Sequence, residues 1–117
     1  TNITKLHSSN TIQDVIDIML AGTEKDFVVI DNDRINGVLT QKDIVKHAKT
    51  PTVLVGDVMQ RRFQTVDVSM EIMKVLEMIS REKRNFFPVV ENGRLIGAID
   101  SANISEYVLF RSLIINS

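Results

Sequence analysis

Apolar residues recur along this chain in two rhythms. Ile12, Val15, Ile16 and Met19 keep the three- and four-residue spacing of one helix face, and Ile72, Val75, Leu76 and Ile79 do the same. Phe27-Val28-Val29-Ile30 is a short β-prone run, answered by Phe86-Phe87-Pro88-Val89-Val90. A polar cluster follows each run, Asp31-Asn32-Asp33-Arg34 in one case and Glu91-Asn92-Gly93-Arg94 in the other, and reads as a tight turn. Second strands are then expected from Ile35 to Leu39 and from Leu95 to Ile99, so that each pair of runs forms a hairpin. Second helices begin at Thr40 and Asp100, and short leading strands are expected over residues 3–6 and 63–66. The predicted unit is βαββα, written twice, an α/β (α+β) fold.

The two copies align at an offset of 60 with no gap. Ile12 falls on Ile72, Val15 on Val75, Phe27 on Phe87, Val29 on Val89, Asn32 on Asn92, Arg34 on Arg94, Gly37 on Gly97 and Ile44 on Ile104. A register that holds through helix, turn and strand signals marks an internal repeat. It divides the chain into a first repeat over 1–50, a connector over 51–62, and a second repeat with a C-terminal helix over 63–117. Pro51 and Gly56 break the connector, yet Val53, Leu54, Val55, Val58 and Met59 make it a packed segment rather than a flexible tether. One three-stranded unit has too little area to cover its own apolar face, so the two repeats are expected to share a core.

With 117 residues, 44% of them hydrophobic, the chain is long enough to bury a real interior. A net charge of −1 gives no nucleic-acid footprint and no polybasic membrane patch. There is no cysteine, which excludes disulfides, thiolate nucleophiles and thiolate metal sites and fits a reducing cytoplasm. No apolar run approaches the roughly 20 residues that span a bilayer. His7 and His47 stand apart without a carboxylate cluster, so no metal site is expected. No nucleophile–base pair or phosphate loop is recognisable, which argues against an enzyme. The chain opens on Thr1 rather than Met and is expected to be a segment of a longer protein.

The stretch Gly37-Val38-Leu39-Thr40-Gln41-Lys42-Asp43 carries the most chemistry, because a strand there runs directly into a helix. Glycine lets another group approach the backbone, and a helix N-terminus with unpaired N–H groups suits phosphate. Thr40 can add a hydroxyl to those donors, and the Asp43 carboxylate can accept from both hydroxyls of a ribose. The same Thr-x-x-Asp pattern is also a capping-box pattern, needed only to start the helix. Recurrence of the junction at 97–103 favours the ligand reading.

The doubled βαββα plan, this junction and the Gly56-Asp57-Val58-Met59 connector resemble a pair of CBS domains, often called a Bateman module, over nearly the whole chain. The resemblance implies two repeats packed about a pseudo-two-fold axis, with clefts between them that bind adenosine compounds: AMP, ADP, ATP or S-adenosylmethionine. It implies Asp43 on the ribose and Thr40 on the phosphate, with Gly37, Val38 and Leu39 lining the approach. It also implies Thr65, Phe87 and Pro88 flanking the base. No cofactor is required beyond such a ligand. The second junction departs from the pattern, with Asp100 where Ser or Thr is usual and Asn103 where Asp is usual. Asp100 suits a helix N-cap but sets a negative charge where a phosphate would sit. Asn103 is a weaker acceptor for ribose than an ionised carboxylate. The first cleft is therefore expected to be the working one.

In the last helix Ile104, Tyr107, Val108, Leu109, Phe110, Leu113 and Ile114 spread apolar residues around much of the circumference. This end is expected to pack on a second copy, as a homodimer, or on a domain of the parent protein. CBS pairs often dimerise, so the resemblance points the same way. The segment from Asn103 to Tyr107, with the apolar stretch after it and Arg111, is similar to the tail of CBS pairs attached to site-2-type membrane zinc proteases. That parent would make the module the cytoplasmic part of a membrane protein; transporters, channels and nucleotide-responsive regulators are the other parents. Met70, Met73 and Met78 read chiefly as core filling, and Arg61-Arg62 and residues 81–84 as solvated surface. The leading functional reading is a regulatory module that senses an adenosine nucleotide and controls an attached domain. The alternative is a structural dimerisation module with non-functional clefts.

Overall fold

The computed structural model describes residues 4–82, 84–100 and 104–115. Its elements run β1 (Lys5–Leu6), α1 (Ile12–Ala21), β2 (Phe27–Asp31), β3 (Arg34–Leu39), α2 (Gln41–Lys46), α3 (Val55–Val58), β4 (Val66–Asp67), α4 (Ile72–Arg81), β5 (Phe86–Glu91), β6 (Arg94–Asp100) and α5 (Ile104–Ile115). Two compact units part between Phe63 and Gln64.

In the first unit β1 lies parallel to β2, with α1 between them in sequence, and β2 pairs antiparallel with β3. The hairpin turns on Asn32 and Asp33, at φ of 52° and 62°. Two left-handed residues in a two-residue loop match the twist of the strands they join. Asn36 has no paired partner on β2, since the register shifts between Val29 and Ile30. Its side chain donates instead to Asp31 at 2.7 Å, and the Ser8 N–H donates to the same carboxyl at 3.1 Å. These bonds, the Asn36 one first, hold the Asp31 carboxyl below the usual carboxylate range. Period-two alternation puts Phe27, Val29 and Leu39 on one face of the sheet. They join Leu6, Ile12, Val15, Ile44, Val55 and Met59 in an apolar cluster.

The connector folds into this first unit. Val53 O accepts from the Ile12 N–H at 2.9 Å, the Val55 N–H donates to Asn10 O at 2.8 Å, and the Gly56 N–H donates to Ser8 O at 2.9 Å. The turn of helix α3 has no counterpart in the expected βαββα unit. It forms because Val55 and Met59, four residues apart, both reach the core.

The second unit repeats the plan at the offset read from the sequence. Phe87 pairs with Ile99 as Phe27 pairs with Leu39, and the register shift recurs between Val89 and Val90. Asn92 and Gly93 take the left-handed turn positions. The leading strand starts one residue late: Lys5 pairs with Val28, whereas the copy begins at Val66 opposite Val89. The residue in the place of Val28 is Pro88, which has no N–H for a ladder. Val66, Val75, Met78, Phe87, Val89, Ile99 and Tyr107 form this unit's apolar cluster. Of the three methionines expected as filling, Met78 is buried and Met70 packs against the cluster, but Met73 is exposed. Burial pushes the Tyr107 phenol up, with Arg111 opposing and Asp67 adding to the shift. On α5, Tyr107 is buried and Ile104 packs on the cluster, while Leu109 and Leu113 face solvent.

Candidate functional site

Strand β3 delivers Gly37, Val38 and Leu39 to the start of α2, and the first unit brings them together with Thr40 and Asp43. Val38 and Leu39 are buried, Leu39 within the apolar cluster. A Cβ on Gly37 would lie 2.8 Å from Gln60 O and 2.8 Å from Met59 Sδ. The close approach expected of this glycine is thus made by the connector. The Val38 N–H donates to Gln60 O at 3.0 Å and the Gln60 N–H to Val38 O at 2.8 Å. The side chains of Val38 and Leu39 thus point into the protein, and the space beside Gly37 is taken by Met59 and Gln60, so what this stretch leaves to an approaching group is backbone.

Thr40 and Asp43 form a reciprocal cap. Asp43 Oδ2 accepts from the Thr40 N–H at 2.9 Å, the Thr40 hydroxyl at 2.9 Å and the Gln60 amide at 2.9 Å. Thr40 Oγ1 in turn accepts from the Asp43 N–H at 3.4 Å. The Gln41 N–H donates to Asp26 Oδ1 at 3.0 Å. Of the phosphate donors expected here, three already bond to protein: the Thr40 hydroxyl and the Gln41 and Asp43 amides. Asp26 also sets a second carboxylate at the same helix end, where it repels phosphate. The open acceptor is Asp43 Oδ1, on a half-buried residue and without a bond among the described residues.

The same cap occurs at α1, where the Thr11 N–H donates to Asp14 at 2.9 Å and Thr11 Oγ1 accepts from the Asp14 N–H at 3.2 Å. Thr-x-x-Asp is therefore used twice in this unit as a helix start, and the motif alone does not mark a ligand.

The remaining expected site residues belong to the second unit. Thr65 is half-buried just before β4, and Pro88 is buried in β5 opposite Ala98. Phe87 is fully buried in the apolar cluster. Asp100 ends β6 opposite Phe86. Asn103 and residues 101–102 lie outside the described residues, and so does the helix cap expected of Asp100. Gly97, unlike Gly37, has nothing within 4 Å of a Cβ. This unit also has a groove of about 510 Å³ lined by Gln64, Met70, Lys74, Glu77, Met78, Arg81 and Glu82, none of them an expected site residue.

Two residues of the first junction escape the sequence reading. Asp26 was findable: pairing Phe27 with Leu39 sets the preceding residue opposite Thr40, one residue from the Gln41 N–H that it accepts. Gln60 has no such signal, because its contact depends on how the connector packs.

A CBS-domain model matches residues 1–50 and again 55–109. The chain belongs to the CBS-domain family. CBS domains are in general non-catalytic modules. Hypoxic response protein 1 of Mycobacterium tuberculosis is 26% identical over 83 residues, 67% of this chain and 58% of that protein. The chain thus spans little more than half the length of the curated relatives it matches. Among solved structures, CBSX2 in complex with AMP aligns at a TM-score of 0.78 and 22% identity, covering 93% of this chain and 89% of that one. The cytosolic domain of the Mg2+ channel MgtE in complex with ATP aligns at 0.76 and 20%, covering 90% and 44%. Among the described residues no helix is long and apolar enough to cross a membrane, and no group of three His, Cys, Asp or Glu side chains could hold a metal ion.

Proposed function

We propose that this CBS pair is a cytoplasmic regulatory module that holds an adenosine nucleotide, AMP, ADP, ATP or S-adenosylmethionine, at its first junction and so controls an attached domain. One observation carries the reading: the Asp43 carboxylate is anchored through one oxygen and open at the other. A pre-anchored acceptor meets a ribose diol with less ordering cost. The AMP complex of CBSX2 and the ATP complex of the MgtE cytosolic domain support the ligand class. The ligand would act by binding one arrangement of the module more tightly than another, and only to the extent of that difference. The similarity of the tail from Asn103 to Arg111 supports a membrane zinc protease as one parent, beside transporters, channels and regulators.

A second reading, a structural dimerisation module, is favoured by the exposed Leu20, Met73, Leu109 and Leu113. Calorimetry with the four ligands separates the two. The nucleotide reading predicts saturable heat with at least one of them. It also predicts about tenfold weaker binding in Asp43→Asn, from loss of the charged acceptor. No heat with any of the four overturns it.

A further inference from the structure

We infer that Gln60 is a positioning residue for Asp43 and that it links occupancy of the first junction to docking of the connector; the link to occupancy rests on the adenosine reading above. A capping box needs no donor from outside its own helix start, as Thr11 and Asp14 show: the additional donor to Asp14 comes from nearby Asn10, at 3.4 Å. Asp43 differs. It takes a third bond from an amide 17 residues away, on the connector. That bond is not required to start α2. It ties the carboxylate to a separate segment, so the acid cannot swing away without releasing Gln60.

The segment is itself latched to the junction. Main-chain bonds run both ways between Val38 and Gln60, and Met59 lies over the missing side chain of Gly37. The chain then leaves the first unit between Phe63 and Gln64. A ribose bound to Asp43 Oδ1 favours the anchored carboxylate, and the anchored carboxylate favours the docked connector. By linkage, a docked connector raises affinity for the ligand by the same factor.

Gln60→Met tests this, because it removes the amide donor at equal reach and leaves the main-chain bridge. In the ligand-free protein, scalar couplings of the Asp43 β-protons are expected to report one χ1 rotamer in the parent and averaged rotamers in Gln60→Met. Asp14 serves as the unchanged control. Gln60→Lys, which restores an N–H donor, is expected to recover the single rotamer. With AMP as the probe, Gln60→Met is expected to bind about tenfold more weakly, as for a lost bond to a charged group. Hydrogen exchange at the Val38 and Gln60 amides is expected to slow with AMP in the parent and not in the variant. A single Asp43 rotamer in Gln60→Met overturns the positioning role. Equal AMP affinity of parent and variant overturns the link. Absence of AMP binding by the parent overturns the link together with the AMP reading, and the rotamers still decide the positioning role by themselves.

Discussion

Gly37 and Gly97 hold the same register position in two copies of one hairpin, opposite Val29 and Val89. A side chain on Gly37 would collide with Met59 and Gln60, while one on Gly97 would meet open space. The polar bonding differs in the same direction. The first unit has reciprocal caps at Thr11–Asp14 and Thr40–Asp43 and a knot of bonds on Asp31, whereas α4 starts at Glu71 with no side-chain cap. Repetition has thus kept the apolar pattern and the strand register of the hairpins and let the junction chemistry diverge. The half that carries the open carboxylate is also the half in which a second segment of chain closes on the junction.

Four substitution experiments sharpen that contrast, taken from the largest effect to the smallest. Phe27→Ala and Phe87→Ala remove rings that are fully buried at matching positions. Each is expected to cost about 3–5 kcal/mol in urea unfolding, because the scaffold is where the copies agree. Gly37→Ala is expected to cost about 1–3 kcal/mol through forced repacking of the connector. Gly97→Ala is instead expected to gain roughly 0.5 kcal/mol from reduced freedom of the unfolded chain. Equal effects at 37 and 97 would break the contrast. Thr11→Ala and Thr40→Ala should each cost about 1 kcal/mol as lost caps. The smallest effect is on acid stability. The Asp31 carboxyl is lowered by the Asn36 and Ser8 bonds. The stability it adds is present above the unfolded-state value and is lost as pH falls through the folded-state value. Asp31→Asn is therefore expected to flatten the unfolding profile below about pH 4 and leave its slope at neutral pH unchanged.

The offset of 60 read from the sequence carried through to the strand register, including the shift that follows Val29 and Val89. This was legible because a hairpin is a local structure, set by alternation and by turn residues such as Asn32 and Asn92. The late start of β4 follows from Pro88, and the visible proline could have predicted it. The junction was less legible. Thr40 and Asp43 were visible, but their pattern fits a cap as well as a ligand site, and Thr11-x-x-Asp14 uses the same residues for a cap. The occupant of the space beside Gly37 was not legible at all. Met59 and Gln60 reach it through the packing of the connector, which no local spacing encodes.

The first junction, and not the second, is predicted to meet the ligand. Amide chemical shifts of isotope-labelled protein, followed while AMP, ADP, ATP and S-adenosylmethionine are titrated in turn, test it directly. Shift changes centred on residues 37–43 and on Gln60, with 97–100 unmoved, are the predicted result. Changes confined to 97–100, or no changes with any of the four, would contradict it.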